Sequence, residues 1–205
     1  MNGRVAELGS RVRPDQDTVE LDGGRVPLDP ALRYFALHKP HGVVTTAKDT
    51  HGRPDVSAYY PPGERVFPVG RLDRESEGLL LLTNDGELAN RLMHPRYQVE
   101  KEYLAEVEGT PTQKAIAHLL RGVALEDGEA RARSAKPVAG SRGRSAVRLV
   151  MTEGRKREVR RMLDAVGLPV RRLIRVRVGP IRLGRLRAGE VRELDPAEVR
   201  ELMRG

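Results

Sequence analysis

The chain has 205 residues, of which 39% are hydrophobic and 3% aromatic, enough for one domain with a core of Leu and Val and a small appendage at most. It contains no cysteine, which excludes disulfide scaffolds, thiol catalysis and cysteine-ligated zinc. Its formal net charge of +8 is uneven, since residues 1–130 carry 16 Lys/Arg against 21 Asp/Glu and residues 131–205 carry 21 against 8.

That polarity favours a polyanionic partner, with nucleic acid ahead of a membrane surface. The amino terminus has no signal-peptide pattern, and no apolar run approaches the roughly 18 residues that a membrane-spanning helix needs. We therefore predict a cytoplasmic protein without a membrane partner.

The first half of the chain predicts short strands joined by turns. Apolar patterns bounded by Gly, Pro and Asn predict strands at Val19–Leu21 and at residues 34–37, 43–46, 66–69 and 78–83. Residues 47–64 form a polar loop that is long for a compact domain, which favours a functional or mobile role. Asp85 is a candidate N-cap for a short helix over residues 87–93.

The second half mixes helices and strands without a regular βαβ rhythm. Strands are predicted at residues 100–107, 123–125, 130–135, 147–151 and 170–178, and helices at 111–120 and 196–203. Val159, Met162, Leu163 and Val166 have the spacing of one buried helical face, and Gly167 is a candidate C-cap. This arrangement favours a mixed α+β fold over a doubly wound one.

The stretch VGRLDRESEGLLLLTNDG places three acids, Asp73, Glu75 and Glu77, ahead of an apolar strand. In an extended chain the three side chains would share one face and could bind Mg²⁺ for phosphoryl chemistry. Arginines are interleaved with the acids, however, and their positive charge can neutralise the carboxylates in place of a metal ion. A mixed-charge surface turn and a reactive carboxylate are the other two interpretations, and spacing alone does not choose among the three.

Two further positions allow both a structural and a functional interpretation. Tyr103, in EKEYLAEV, is either a half-buried strand residue or a ring that stacks on a nucleobase. Arg155 opens a cluster of five cations and either neutralises an acid, grips phosphate or lies on a solvated helix face. The chain has no P-loop, no dinucleotide fingerprint, no G-x-S-x-G and no histidine pair with ligand spacing.

Taken in order, HKPHGVVTT, VGRLDRESEGLLLLTNDGELANRLMHP, EKEYLAEV and EGRKREVRRML closely resemble the bacterial pseudouridine synthases that modify single sites of ribosomal RNA. The resemblance covers residues 34–194. It implies a mainly antiparallel sheet with flanking helices and a central catalytic cleft. It also implies isomerisation of a specific uridine to pseudouridine, with large-subunit RNA favoured over small-subunit RNA, and no cofactor or metal.

The resemblance also implies roles for individual residues. Asp73 takes the position of the family's essential aspartate and Tyr103 that of its active-site tyrosine. Arg155 takes that of the basic partner of the aspartate, with Arg157 and Arg160 of the same motif as the alternatives. The expected RNA-binding residues are Arg71, which would help to hold the target nucleotide extruded, and the cations of the EGRKREVRRML motif, Lys156, Arg157, Arg160 and Arg161. Glu75 and Glu77 then become structural residues, as caps or ion pairs.

Relatives in this branch begin with a small RNA-binding module, and residues 2–23 resemble only its final part. We therefore predict that residues 1–28 are a remnant or partial module and that residues 29–205 form the catalytic domain. Two rival functions remain at this point. One is a non-catalytic RNA-binding or ribosome-assembly factor, and the other is a metal-dependent nuclease that uses the acid triplet.

Overall fold

The computed structural model describes residues 1–13, 16–26, 31–46, 52–140 and 143–204. Its internal contacts divide the chain into two units, Met1–Leu32 and Arg33–Gly205. The predicted boundary between residues 28 and 29 lies outside the described residues, and the remnant module stays a prediction. Within the first unit, β1 (Val19–Leu21) pairs with β2 (Gly24–Val26), and the turn between them is formed by Asp22 and Gly23, both with positive φ.

The second unit contains the remaining regular elements. Its strands are β3 (Tyr34–Lys39), β4 (Phe67–Pro68), β5 (Ser76–Thr83), β6 (Lys101–Val107), β7 (Val123–Leu125), β8 (Gly128–Ala130), β9 (Ser134–Ala139), β10 (Ser145–Met151), β11 (Val170–Val178), β12 (Ile181–Arg182) and β13 (Val191–Glu193). Its α-helices are α1 (Gly86–Met93), α2 (Gln113–Arg121), α3 (Glu158–Ala165) and α4 (Pro196–Arg204).

Within the described residues, nine of these strands form one mixed sheet. Seven follow the order β13-β3-β5-β11-β6-β10-β9, while β4 adds to β5 and β12 adds to β11. The pair β5–β11 is parallel, and the other pairs of the sheet are antiparallel. The mainly antiparallel α+β fold is therefore confirmed.

The leucine run of β5 is buried along its whole length, as the GLLLL pattern predicted. Because side chains alternate along a strand, Leu79 and Leu81 pack into one core cluster and Leu80 and Leu82 into another. A third cluster lies on one face of β6, β10 and β11, where Met162 and Leu163 of α3 cover it. Asp85 caps α1 as predicted, since its carboxylate accepts a hydrogen bond from the Leu88 amide (3.0 Å).

Two predicted strands differ from the structure. Residues 43–46 form only an isolated bridge at Val44, because Val43 is buried in the core and the Thr45 hydroxyl binds the backbone of another loop. The strand predicted over residues 130–135 is interrupted between β8 and β9, where the Ala132 amide bonds to the Leu119 carbonyl at the end of α2. No helix in the described part of the chain is long and apolar enough to cross a membrane.

Candidate active site

A cavity of about 760 Å³ opens where β5, β11 and β6 lie side by side. Its walls combine the loop before β5, the turn before α3 and one face of the central strands. The polar and charged residues that line it include Arg71, Asp73, Ser76, Lys101, Tyr103, Arg155, Lys156, Arg157, Glu158 and Arg175. Asp73 and Tyr103, the predicted essential aspartate and the predicted active-site tyrosine, therefore line the same cavity.

Asp73 belongs to a loop whose backbone is fixed on both sides. The buried Thr45 hydroxyl donates to the Leu72 carbonyl (2.8 Å) and accepts from the Leu72 amide (3.1 Å). On the other side, the Ser76 amide bonds to the Asp73 carbonyl (3.0 Å), and the Gly42 amide bonds to the Arg74 carbonyl (2.8 Å). These bonds hold the Asp73 carboxylate at the cavity wall without using the carboxylate itself.

Tyr103 projects from the middle of β6 with 8% of its surface exposed. The register of the sheet places it directly opposite Arg175 of β11 and Leu149 of β10. The ring packs into the core on one side and lines the cavity on the other. The strand-residue and the cavity-ring interpretations of this tyrosine thus describe the same position.

Arg155 does not pair with Asp73 in this structure, contrary to the expected ion pair. Its Nε donates to Glu158 Oε1 (2.9 Å) and its Nη2 to the Glu129 carbonyl (2.7 Å). Its Nη1 contacts the Asp127 carboxylate (3.3 Å). Arg155 therefore ties the start of α3 to the β7–β8 hairpin, and all three of its guanidinium nitrogens are engaged there.

The charge of Asp73 acts on two other cations, Arg160 and Lys39. Burial lowers the pKa of the Arg160 guanidinium, and the negative charges of Glu75 and Asp73 act in the opposite direction. The Arg160 side chain is 7% exposed, and its Nη2 donates to the Glu75 carbonyl (2.8 Å). Arg160 is thus a buried cation whose charge interacts with Asp73, which removes it from the set of residues that could grip RNA phosphates.

Lys39 is a second buried cation near the aspartate. It is 0% exposed, and its ammonium donates to the carbonyls of Pro40 (2.9 Å) and Val43 (2.7 Å). Burial lowers the Lys39 pKa to about 8, while the charges of Glu77 and Asp73 oppose that shift. Sequence reasoning passed over Lys39, although a lysine that ends an apolar strand was a signal for it.

Lys101 and Arg175 line the cavity and were also missed. Burial lowers the Lys101 pKa to about 8, and the charge of Arg175 acts in the same direction. Arg175 is 3% exposed, with its Nε on the Leu79 carbonyl (2.8 Å). A signal existed in the alternation of β11, where Arg175 follows Leu173 at the spacing of one sheet face.

The other predicted RNA-binding residues are not equivalent. Arg71 and Lys156 are exposed at the cavity rim. Arg157 is exposed but ion-paired with Glu75. Arg161 forms two bonds to the Asp127 carboxylate (2.8 and 2.9 Å), which engage both of its Nη nitrogens. Arg71 and Lys156 are therefore the best placed of the five to meet a polyanion.

The acid triplet does not converge. Asp73 faces the cavity, Glu75 binds Arg157, and Glu77 is buried in an ion pair with Arg172. In the parts of the chain that the structure describes, no three acidic or histidine side chains lie close enough to share a metal ion. The structural role expected for Glu75 and Glu77 agrees with these pairs, and the nuclease interpretation loses its ligand set.

Among the described residues, the site is thus a cation-rich cavity lined by the ring of Tyr103 and by the carboxylate of Asp73, while the other lining acids, Glu153 and Glu158, pair with Arg155. A carboxylate of this kind can act as a nucleophile or stabilise a cationic centre, and the ring can stack on a base. The surrounding cations suit an anionic substrate.

Comparison with known proteins agrees with this chemistry. The family model described as RNA pseudouridylate synthase matches residues 33–165. An uncharacterised RNA pseudouridine synthase of Mycobacterium leprae is 46% identical over 97% of this chain and 79% of its own length. The ribosomal large subunit pseudouridine synthase B of Bacillus subtilis is 41% identical over 98% of this chain and 84% of its own.

A crystal structure of a pseudouridylate synthase superimposes with a TM-score of 0.76 at 28% identity, covering 98% of this chain and 86% of that one. The family match extends from β3 to the end of α3 and includes the loop of Asp73, the strand of Tyr103 and the start of the basic third of the chain. With a fold, a cavity and a sequence that all agree, the chain belongs to the RNA pseudouridylate synthase family.

Proposed function

We propose that this chain converts one uridine of ribosomal RNA, with large-subunit RNA favoured, to pseudouridine, and that Asp73 is the reacting carboxylate. The observation that carries the proposal is the loop of Asp73, whose backbone is fixed by Thr45 and Ser76 while its carboxylate faces a cavity that Tyr103 also lines. The reaction is an isomerisation and needs no cofactor.

The isomerisation of uridine to pseudouridine requires one carboxylate. The N1–C1′ glycosidic bond breaks, the uracil turns, and C5 bonds to C1′ while the C5 proton leaves and N1 gains a proton. An ionised Asp73 can attack the electron-poor C1′, stabilise it or help to remove the 2′ proton. Arg160 and Lys39 orient the aspartate through their charge, in place of the Arg155 expected from sequence.

The target base must leave its stack before it can react, at a cost of a few kcal/mol. Stacking on Tyr103 offsets part of that cost, and cationic contacts from Arg71 and Lys156 to the backbone offset more. The family's RNA substrate and the ribosomal name of the Bacillus subtilis relative support ribosomal RNA as the class of substrate.

A map of pseudouridines in ribosomal RNA, from cells with and without this gene, identifies the target. We expect one site to disappear without the gene and to return when wild-type protein is supplied. Asp73→Asn should fail to restore it while binding RNA with nearly unchanged affinity, because the carboxylate does chemistry and does not hold phosphate. Asp164→Asn, which neutralises an exposed acid of α3, is the matched control and should restore the site.

The same variants can be compared in vitro by tritium release from RNA that carries 5-tritiated uridine. Release by Asp73→Asn at the wild-type rate would refute the role of Asp73. An RNA-binding or assembly factor without activity would leave the pseudouridine map unchanged in both strains. Activity abolished by EDTA and restored by Mg²⁺, with folding of the RNA controlled separately, would instead favour a metal-dependent enzyme.

A further inference from the structure

Arg175 is a buried cation with unused hydrogen-bonding capacity at the cavity wall. Its Nε binds the Leu79 carbonyl (2.8 Å), and its Nη1 has a long contact to the Arg71 carbonyl (3.5 Å). Among the described residues, no carboxylate oxygen lies within 4.0 Å of the Arg175 guanidinium, the distance that defines an ion pair. A buried guanidinium normally has such a partner, so one wall of the cavity presents donors that await an acceptor.

The sheet places this guanidinium beside the ring of Tyr103. Arg175 and Tyr103 are directly opposite each other on neighbouring strands, with their side chains on the same face. Cβ atoms of such a pair are about 4.5–5.5 Å apart. A base that lies against Tyr103 would therefore present one of its edges to Arg175.

Ser76 provides a second unsatisfied group on the same wall. Its hydroxyl is buried, makes no hydrogen bond to the described residues, and belongs to a side chain that lines the cavity. Ser76 and Gly78 pair with Leu173 and Arg175 in the parallel ladder, which puts the serine one step along the same face. A guanidinium with donors to spare beside a hydroxyl without a partner indicates that a polar ligand completes their hydrogen bonds.

We infer that Arg175 donates a hydrogen bond to an exocyclic oxygen of the target uracil and stabilises the negative charge that develops there, with Ser76 as a second contact to the same edge. The inference rests on the proposed function and names a substrate contact within it. Cytosine carries an amino group where uracil carries O4, so a guanidinium at that oxygen would also select for uracil.

The contribution to the reaction follows from where the electrons go. When the N1–C1′ bond breaks, its electron pair stays with the uracil, and the charge spreads over N1, O2 and O4. A preorganised donor at one of these oxygens lowers the barrier, and loss of one such donor typically costs about 10²–10³-fold in rate. Bond formation from C5, loss of the C5 proton and protonation of N1 then complete the isomerisation.

The test uses single-turnover rates on an RNA fragment that wild-type protein modifies, carrying uridine, 2-thiouridine or 4-thiouridine at the target. We expect Arg175→Gln to be about 10²–10³-fold slower than wild type on uridine. The ratio of wild-type to variant rates should fall sharply for the thio analogue that replaces the contacted oxygen. Any intrinsic difference between the analogues as leaving groups is common to both proteins and cancels in the ratio.

Arg172→Gln is the control, since Arg172 lies on the same strand, is directed to the opposite sheet face and pairs with Glu77. Its rate ratio should be the same for all three substrates. If the Arg175→Gln ratio is also the same for all three, the arginine acts only through its backbone contacts and the inference is wrong. Activity of wild type on uridine stands independently of that outcome, and a melting curve for each variant separates unfolding from a lost contact.

Discussion

Gly78 lies where β5 passes so close to β11 that no side chain fits. A Cβ at this position would be 2.3 Å from the Arg175 carbonyl oxygen and 2.7 Å from its amide nitrogen, and φ is +107°. Both clash and backbone conformation exclude an L side chain. The glycine therefore fixes the distance between the strand that follows Asp73 and the strand that carries Arg175.

We expect Gly78→Ala to lower the free energy of unfolding by about 3 kcal/mol or more, since backbone strain and overpacking add. Gly86→Ala is the control, because an added Cβ there meets no atom within 4 Å. Urea denaturation of both variants measures the difference. Equal stability of the two would show that the strands separate at little cost.

The buried lysine Lys39 gives the protein a pH dependence with a defined sign. Its pKa is 10.5 when unfolded and about 8 when folded, so between these values the unfolded state binds more protons and stability rises with pH. A fully titrating group contributes a slope of about 1.4 kcal/mol per pH unit. Lys101 acts in the same direction, and Tyr34, whose pKa is raised to about 12 by burial, opposes them only above pH 10.

We therefore expect unfolding free energies measured by urea to increase from pH 8 to pH 10 and Lys39→Met to show a shallower slope. The comparison is between slopes, so a general loss of stability in the variant does not affect it. Parallel curves for variant and wild type would mean that Lys39 keeps its ordinary pKa.

How well the sequence locates a site residue depends on how far the position of that residue is set by tertiary contacts. Asp73 was placed at the cavity correctly because its motif precedes an unmistakable buried strand, although its catalytic role remains a proposal. Arg155 binds Glu158 and Asp127 here and not Asp73, and the sequence could not foresee this because five cations crowd seven positions and their directions depend on where α3 starts. Arg157 precedes that start in a left-handed conformation, which no pattern of side chains indicates.

At the scale of elements, the loop that carries Asp73 depends on Thr45 from a segment without regular structure. The hydroxyl satisfies both the amide and the carbonyl of Leu72, the residue immediately before the aspartate. This latch was not predictable from sequence, because Thr45 was assigned to a strand and its partner is 27 residues away.

We expect Thr45→Val to cost about 1–3 kcal/mol, since two buried backbone groups lose their partner, and to reduce kcat with little change in KM. Thr83→Val is the matched control: Thr83 is also buried, and its hydroxyl donates to the Arg33 carbonyl and accepts from the Asp85 amide at the other end of β5. Both variants should be destabilised, and only Thr45→Val should be slow. An equal loss of kcat in both would refute a specific role for the latch.

For the whole molecule, the positive charge that is concentrated in the carboxyl-terminal third of the sequence is partly neutralised in the fold. Many of the arginines in the basic carboxyl-terminal third are neutralised by acids from earlier strands, such as Arg148 by Glu102 and Arg172 by Glu77. The excess of Lys and Arg in residues 131–205 can be counted in the sequence. Only the structure separates the arginines that stabilise the sheet from the cations that are exposed at the cavity rim.

We expect RNA affinity to fall steeply with salt, and Lys156→Gln to reduce the slope of log K against log salt by about 0.7–0.9, the value of one phosphate contact. Lys114→Gln removes the same charge from an exposed position of α2 that does not line the cavity, and it should leave the slope unchanged. Filter binding at several salt concentrations tests both. Identical slopes for the two variants would contradict a contact by Lys156.

The parallel pairing of β5 with β11 also decides when the enzyme can become active. The Arg175–Leu79 contact joins residues 96 positions apart, and contacts of such range form late and slowly in folding. A nascent chain would already have exposed the loop of Asp73 while the strand that completes the cavity was still to be synthesised. The cavity can therefore close only after β11 has been synthesised, and a chain cut before β11 should retain Asp73 without the wall that Arg175 provides.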